Sequence, residues 1–516
     1  MDELNGGRLL TRCHMFGAEP AVLDLANGYR ATYSEHLDRI ERVCSVIQQL
    51  GLGPRDRLAV MAAPSHVYLE LWRAAFAGAT VLNPLNARLA PEEIVYILND
   101  SGSEVVFVDA PNAAVIAALR DRVPTLRTVV LIGDGAQESD WDLRLDALME
   151  RATAHGLPPE PEPDAACVLM YTGGTTGSPK GVVLSQAAVV LAIHRVQMTY
   201  GFEPGQRFLA TLPMFHIGSL LAWGAFLPTG GLTVILPGFE PGAVNAAIRD
   251  HQITVIAAVP TMVAMMIDHP DFDADRLSSL ELVSYGGAPM PPELLKRTMS
   301  LLPRLKFVQG YGMTECSAYV TLLSAADHER GGEILKSVGR VMPGCLIEAR
   351  DAESGVAVPQ GEVGELYVRS GSMLTEYWNQ PEATAEAVLE GWYRTGDAGR
   401  IDTEGYVFLA DRVKDMIVSG GENVYSLEVE NAISSHPLVI QVAVVGVPDA
   451  KWGELVHAFV VCNPDAVTAE ELDAHARRTI AGYKVPRRWT LTDQALPLSA
   501  AGKILKRTLR EMASGS

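Results

Sequence analysis

Short β-branched or apolar runs alternate with helix-period segments through about the first 320 residues. Residues 105–108, 129–132, 233–236, 253–257 and 282–285 read as strands, and 291–302 reads as a helix. Such alternation predicts parallel sheets covered by helices, with binding loops at the carboxyl ends of strands. From about Gly339 short strands and turns dominate, as in Gly361-Glu-Val-Gly-Glu-Leu-Tyr-Val-Arg369, which predicts a more antiparallel part. A third stretch begins near Asp411. It has a helix near 427–435, strands at 439–445 and 458–461 and a helix near 468–481. That is a compact α+β tail of about 100 residues, an ordinary domain size. The polar run Asp411-Arg-Val-Lys-Asp415 reads as the linker before it. The expected fold class is α/β. Parallel-sheet subdomains plus a small antiparallel β subdomain fill residues 1–411, and a small α+β domain fills 412–516.

Composition narrows the function. A chain of 516 residues exceeds what one hydrophobic core usually serves, and 48% hydrophobic with 20% charged residues fits a folded globular protein. The net charge of −20 argues against nucleic acid as the partner. An anionic substrate must then be drawn in by fields local to its site. Cys13, Cys44, Cys167, Cys316, Cys345 and Cys462 show no Cys-x-x-Cys spacing, so neither a zinc site nor a redox pair is signalled. Scattered thiols suit a reducing cytosol. The start Met1-Asp-Glu lacks a basic n-region, and the longest apolar stretch, 255–267, contains Pro260 and is too short to span a bilayer. A cytoplasmic protein without an integral membrane segment is expected. Peripheral membrane contact stays open although no basic amphipathic helix stands out, and homo-oligomerisation stays open too.

The strongest local signal is Tyr171-Thr-Gly-Gly-Thr-Thr-Gly-Ser-Pro-Lys-Gly181, between the apolar stretch 166–170 and a helix-like segment starting near Ser185. Its glycines, Gly174 and Gly177 among them, let backbone N–H groups approach an anion. Thr172, Thr175 and Thr176 add hydroxyls and Lys180 adds a positive charge. The spacing is not that of a Walker loop, and a flexible Gly/Thr turn is the plainer alternative.

Four weaker signals follow. Gly310-Tyr-Gly-Met-Thr-Glu315 reads as a tight loop: Gly310 and Gly312 present the flat ring of Tyr311, Thr314 offers a hydroxyl and Glu315 a hard oxygen for Mg²⁺. Gly391-Trp-Tyr-Arg-Thr-Gly-Asp397 ends in a carboxylate suited to a ribose diol, or in an Asx turn. Arg412 could reach ribose or phosphate, or lie solvated. Lys503, in Pro497-Leu-Ser-Ala-Ala-Gly-Lys-Ile-Leu-Lys506, stands on a turn before a helix; a lone lysine is usually a solvated charge.

In order and spacing these five segments resemble the adenylate-forming superfamily, in particular the acyl-CoA synthetases. The resemblance runs from Val81-Leu-Asn-Pro-Leu-Asn86 to Lys503, nearly the whole chain. It implies that a carboxylic acid attacks the α-phosphate of ATP, giving an acyl-adenylate and pyrophosphate, and that the thiol of CoA then displaces AMP. Thr175, Thr176 and Lys180 would hold the β- and γ-phosphates, with Thr172, Gly174 and Gly177 beside them. Thr314 would touch the α-phosphate, and Glu315, with Thr176, would hold Mg²⁺. Tyr311 would stack on adenine against Gly286, Gly287 and Ala288. Asp397 and Arg412 would bind the ribose. Lys503 would bridge the acid and the α-phosphate, a role suited to a compact charge with several donors. Lys414 falls on the hinge of a mobile C-terminal domain, whose other pose brings Gly420, Gly421 and Glu422 to the pantetheine path. His216 would stand at the mouth of the acyl pocket.

Two departures stand out. Gly173 replaces a hydroxyl residue of the family, which removes one donor to phosphate. Ser426 stands where proline is frequent, which predicts a slightly looser loop. The segments 216–226, 259–265, 285–288 and 312–318 are mostly apolar and small, with Trp223 among them, and lack an Asp for a substrate ammonium. An unpaired amine there would be costly, so an apolar acid is expected, first a medium- or long-chain fatty acid and second a cinnamate- or benzoate-like acid. A carrier-protein phosphopantetheine in place of CoA, a luciferase-like oxygenation and a catalytically silent nucleotide- or acyl-binding protein are the remaining alternatives.

Overall fold

In the computed structural model, which describes residues 4–172, 179–288, 290–352, 354–412, 415–419, 422–449, 452–498 and 504–514, the described strands form four sheets. The strands at 105–108, 129–132, 233–236, 253–257 and 282–285 all appear, as Val105–Asp109, Thr128–Ile132, Leu232–Ile235, Val255–Ala258 and Leu282–Gly286. Val105–Asp109 runs parallel to both Arg57–Met61 and Thr128–Ile132, and its near-continuous burial explains why no polar alternation marks it.

One sheet of nine strands carries Arg207–Ala210, Val255–Ala258, Leu282–Gly286 and Lys306–Met313 in parallel, then turns antiparallel at Ala318–Leu323. A second, of eight strands, carries Val81–Pro84 beside Ala166–Thr172 and ends in antiparallel Lys180–Ser185 and Glu376–Tyr377. A single buried cluster joins the two sheets through helices Tyr33–Gln49, His66–Phe76, Gln186–Tyr200 and Ile217–Gly224. Trp72, Phe76 and Trp223 meet there with ring centroids 6.1–6.4 Å apart. Trp223 is 0% exposed. The expectation that it lines a substrate pocket is corrected, because its ring packs against Trp72 and Phe76 in the core.

The third sheet is antiparallel, as expected, and pairs Gly364–Ser370, Trp392–Ile401 and Val407–Arg412. The fourth, in the tail, is built on Gly453–Val461. Helices Ser426–Ser434 and Ala469–Ala476 belong to one apolar cluster on it, and Lys506–Ser514 to another. No helix among the described residues is long and apolar enough to cross a membrane.

Three local readings change. The Gly/Thr segment does not lead from a strand directly into a helix. It lies between the antiparallel strands Ala166–Thr172 and Lys180–Ser185, and the helix expected near Ser185 follows at Gln186, capped by Ser185. The run Val182-Val183-Leu184, fully apolar and β-branched at two positions, prefers a strand. Gly310-Tyr-Gly is not a loop but the end of strand Lys306–Met313. Asp411 and Arg412 end strand Val407–Arg412 rather than forming a linker.

Candidate active site

The residues expected on the adenine side sit at or just after strand ends in fixed register. Gly286 is opposite Gly310 in a parallel pair. A Cβ on Gly286 would lie 2.5 Å from the Gly310 carbonyl oxygen, and one on Gly312 would lie 1.5 Å from that of Ala318. Both glycines are therefore required by close backbone approach. Gly287, at φ +76°, and Ala288 follow as exposed residues. The Tyr311 hydroxyl donates to Asp397 Oδ2 at 2.7 Å, and the Asp397 N–H donates to Thr395 Oγ1 at 3.0 Å. Burial, reinforced by the Asp397 charge, pushes the Tyr311 phenol well above its usual value, so it stays a donor. Arg412 is the antiparallel register partner of Asp397. Two residues named from separate motifs are thus neighbours across one strand pair.

A second polar group gathers at Glu315, in the short turn Thr314–Cys316. The Tyr377 hydroxyl donates to Glu315 Oε1 at 3.0 Å and lies 3.2 Å from Tyr393 Oη. Lys180 Nζ stands 4.9 Å from the centroid of the Tyr377 ring. Strand Glu376–Tyr377 pairs with Lys180–Ser185, with Tyr377 opposite Val182. One tyrosine therefore touches both the carboxylate proposed for a metal and the lysine proposed for phosphate. The sequence reading missed Tyr377, since Glu376-Tyr-Trp-Asn has no glycine and only one charge to mark it.

Past Glu315 the backbone is strained. Ser317 and Ala318 have φ of +53° and +72°, unusual for non-glycine residues. The Ser317 hydroxyl donates to the Ser372 carbonyl at 2.8 Å. Arg195, 1% exposed, holds the surrounding chain by donating to Pro343 O, Tyr319 O, Ser372 Oγ and Ser370 Oγ. Arg195 too went unread, because it lies inside an apolar helix pattern.

Known proteins match nearly the whole chain. Residues 9–378 match the AMP-binding enzyme family, and residues 428–503 match the AMP-binding enzyme C-terminal domain. The chain belongs to the AMP-binding, adenylate-forming enzymes. It is 37% identical over 503 residues to the long-chain-fatty-acid–CoA ligase FadD13 of Mycobacterium tuberculosis, covering 96% of each chain. It is also 37% identical over 492 residues to a feruloyl-CoA synthase of an Amycolatopsis species, covering 94% of each. The solved structure of ATP-bound MatB from Rhodopseudomonas palustris superposes with a TM-score of 0.89 at 27% identity, covering 98% of this chain and 99% of that one. Membership carries the class of chemistry with it, that of an AMP-forming acyl-CoA synthetase.

Within this adenylate-forming enzyme the remaining expected residues divide. His216 is half-buried and caps helix Ile217–Gly224, with its ring 4.5 Å from that of Phe215. Thr314 opens the turn that carries Glu315. The Thr172 hydroxyl points to the Lys180 carbonyl at 3.5 Å, a weak bond closing the hairpin. Glu422 is placed in strand Glu422–Val424, opposite Ser419. Gly174, Thr175, Thr176, Gly177, Lys414, Gly420, Gly421 and Lys503 lie outside the described residues, as does Gly173. Ser426 corrects an expectation. It is 0% exposed and accepts a hydrogen bond from Lys506 Nζ, which is 2.7 Å from Glu430. Lys506 ties the position down from the last helix, so the loop is not loosened there.

Among the described residues no group of three or more His, Cys, Asp or Glu side chains gathers as a metal site. One carboxylate, Glu315, still fits Mg²⁺. That ion binds through one or two carboxylates with substrate phosphates and water completing its shell.

Proposed function

We propose that this enzyme converts a carboxylic acid, ATP and CoA into an acyl-CoA, AMP and pyrophosphate, with a medium- or long-chain fatty acid as the first substrate class. The observation that carries the reading is the meeting of Lys180, Tyr377 and Glu315, a cation and a hard-oxygen ligand held through one ring. The relatives act on a long-chain fatty acid and on ferulate by their names, and both substrates are acids activated as thioesters. The half-buried rings of Tyr200, Phe202 and Tyr319 favour an aromatic acid as the second reading.

Adenylation brings one anion against another, so the barrier is mostly electrostatic. Lys180, with Thr175 and Thr176, holds the β- and γ-phosphates. Glu315 and Thr176 hold Mg²⁺, which when bound neutralises charge on the phosphate oxygens. Thr314 faces the α-phosphate, and Lys503 bridges it to the acid. Asp397 and Arg412 take the ribose, while Tyr311 stacks on adenine between Gly286, Gly287 and Ala288. His216 stands at the acyl entrance. The C-terminal domain, 412–516, turns about Lys414 and exchanges Lys503 for Gly420, Gly421 and Glu422 before thiol attack. One site thus serves two steps through a domain motion.

The test is pyrophosphate release from ATP and Mg²⁺ across fatty, aromatic and amino acids, with and without CoA. Acid-dependent release over many turnovers only with CoA supports the reading. Release limited to about one equivalent despite CoA moves the acceptor to a carrier protein, and no release with any acid rejects the ligase.

A further inference from the structure

One face of the nine-stranded sheet carries hydroxyls that the nucleotide chemistry does not use. Ser284 precedes Gly286 by one side-chain repeat on the same strand face, about 7 Å further in. It is 5% exposed, and its Oγ lies 3.1 Å from Tyr200 Oη. Tyr319 reaches the same group. Burial pushes its phenol up to about 12, and hydrogen bonding with Ser284 acts against that rise.

The Tyr319 ring fills the space where a Cβ on Gly310 would stand, 2.5 Å from its nearest ring atom. Its hydroxyl lies 3.5 Å from where a Cβ on Gly218 would be, in the first turn of the helix that His216 caps. The phenol therefore spans from the strand bearing Tyr311 to the helix beginning after His216. Beside it Tyr200 packs edge-on to Phe202 at 5.5 Å, and Phe202 meets Phe226 at 4.4 Å. Both Tyr200 and Tyr319 are half-buried. Three hydroxyls carry three protons, and the Tyr200–Ser284 contact uses one of them. Donors and several lone pairs stay available to a ligand oxygen.

We infer that Tyr200, Ser284 and Tyr319 form the inner wall of the acyl pocket and select carboxylic acids whose acyl group carries a hydroxyl remote from the carboxylate. This rests on the acyl-CoA ligase reading above. A hydroxyl fits the donor and acceptor count, whereas a plain methyl end would face unpaired polar groups. A site built to bond a substrate hydroxyl discriminates strongly against the analogue lacking it. The hydroxyl can come from an aromatic ring or from a fatty chain, since the wall offers both flat rings and polar atoms.

The test compares kcat/KM for 4-hydroxycinnamate against cinnamate and for 8-hydroxyoctanoate against octanoate, with the intact enzyme, ATP, Mg²⁺ and CoA. At least one hydroxylated acid is expected to exceed its counterpart about tenfold or more, and the winning pair names the source. Ser284→Ala and Tyr319→Phe should bring that ratio toward one, mainly through KM. Tyr200→Phe gives the same readout if either fails to fold. Hydroxylated acids no better than their counterparts, or a ratio unchanged in every variant, overturns the inference while leaving the ligase intact. No pyrophosphate release with any acid defeats the ligase reading itself, and this inference with it.

Discussion

Two tyrosine clusters meet across one turn and differ in charge. Tyr377 and Tyr393 surround the Glu315 carboxylate, with Lys180 over the Tyr377 ring. Tyr200 and Tyr319 surround Ser284, a neutral hydroxyl. Between them the chain passes through the left-handed residues Ser317 and Ala318. The strain is concentrated where a charged environment gives way to a neutral one within a few residues. The comparison teaches that phenols alone do not define a site. Beside a carboxylate and a lysine they hold charged side chains, and beside a serine they make a neutral hydrogen-bonding cluster.

The largest expected effect breaks the charged cluster alone. Glu315→Gln keeps the shape but removes the anionic ligand, and pyrophosphate release should fall by about 10²–10³-fold in kcat. Titrating Mg²⁺ at saturating ATP checks it: the variant needs more metal, while the ranking of acids stays as in the parent enzyme. A variant with parental rate and metal dependence would remove Glu315 from the reaction.

Next in size is a change that strikes both clusters through the backbone between them. Gly312→Ala places a Cβ 1.5 Å from the Ala318 carbonyl oxygen, so the paired strands must separate. Overpacking of this kind costs about 1–3 kcal/mol. Thermal unfolding should show a lower Tm, and both the ATP KM and the acid preference should worsen together. A variant that unfolds at the parental temperature would mean the strand pair gives way more easily than its spacing implies.

How far the sequence revealed these clusters depends on how each is assembled. Strand periods located Leu282–Gly286, since a buried parallel strand leaves an apolar run, and apolar runs also located the tail strands Gln441–Asp449 and Gly453–Val461. The Tyr311 and Asp397 motifs were legible because glycines mark close approach, and the meeting of two different sheets brings them to 2.7 Å. Strand or loop at Lys180 could not be read, because a hairpin depends on pairing with Ala166–Thr172, which no local pattern states. Tyr377 and Arg195 were missed for a related reason. Each acts through register or burial against distant segments, and neither carries a composition signal. The Tyr200, Ser284 and Tyr319 cluster is assembled from a helix and two strands, so only the fold shows it.

A smaller effect sharpens the charged side. Tyr377→Phe keeps the ring under Lys180 and removes the donor to Glu315. A hydrogen bond to a charged group contributes about 1.5–3 kcal/mol, and the lower end corresponds to about tenfold. The KM for MgATP should rise by about that factor with kcat less affected, as measured by initial rates at fixed acid. Tyr377→Leu should do worse, since it also removes the ring beneath the lysine. Equal behaviour of the two variants would mean that the hydroxyl alone matters.

The smallest effect concerns pH and belongs to the neutral side. Tyr319 ionises near 10 when unfolded, but burial holds its folded value up to about 12. The folded chain therefore keeps a proton that the unfolded chain has lost between those values. Stability from this group is complete below about 10 and falls as pH rises through the window to about 12. Across pH 6–9 the phenol stays neutral, so the ratio of kcat/KM for 8-hydroxyoctanoate over octanoate should be flat there. These acids carry no phenol of their own, which keeps ligand titration out of the comparison. In Tyr319→Phe the alkaline loss of stability should become shallower between about 10 and 12, because one titrating group is gone. A selectivity ratio that instead steps near neutral pH would place a different group in control of acid choice.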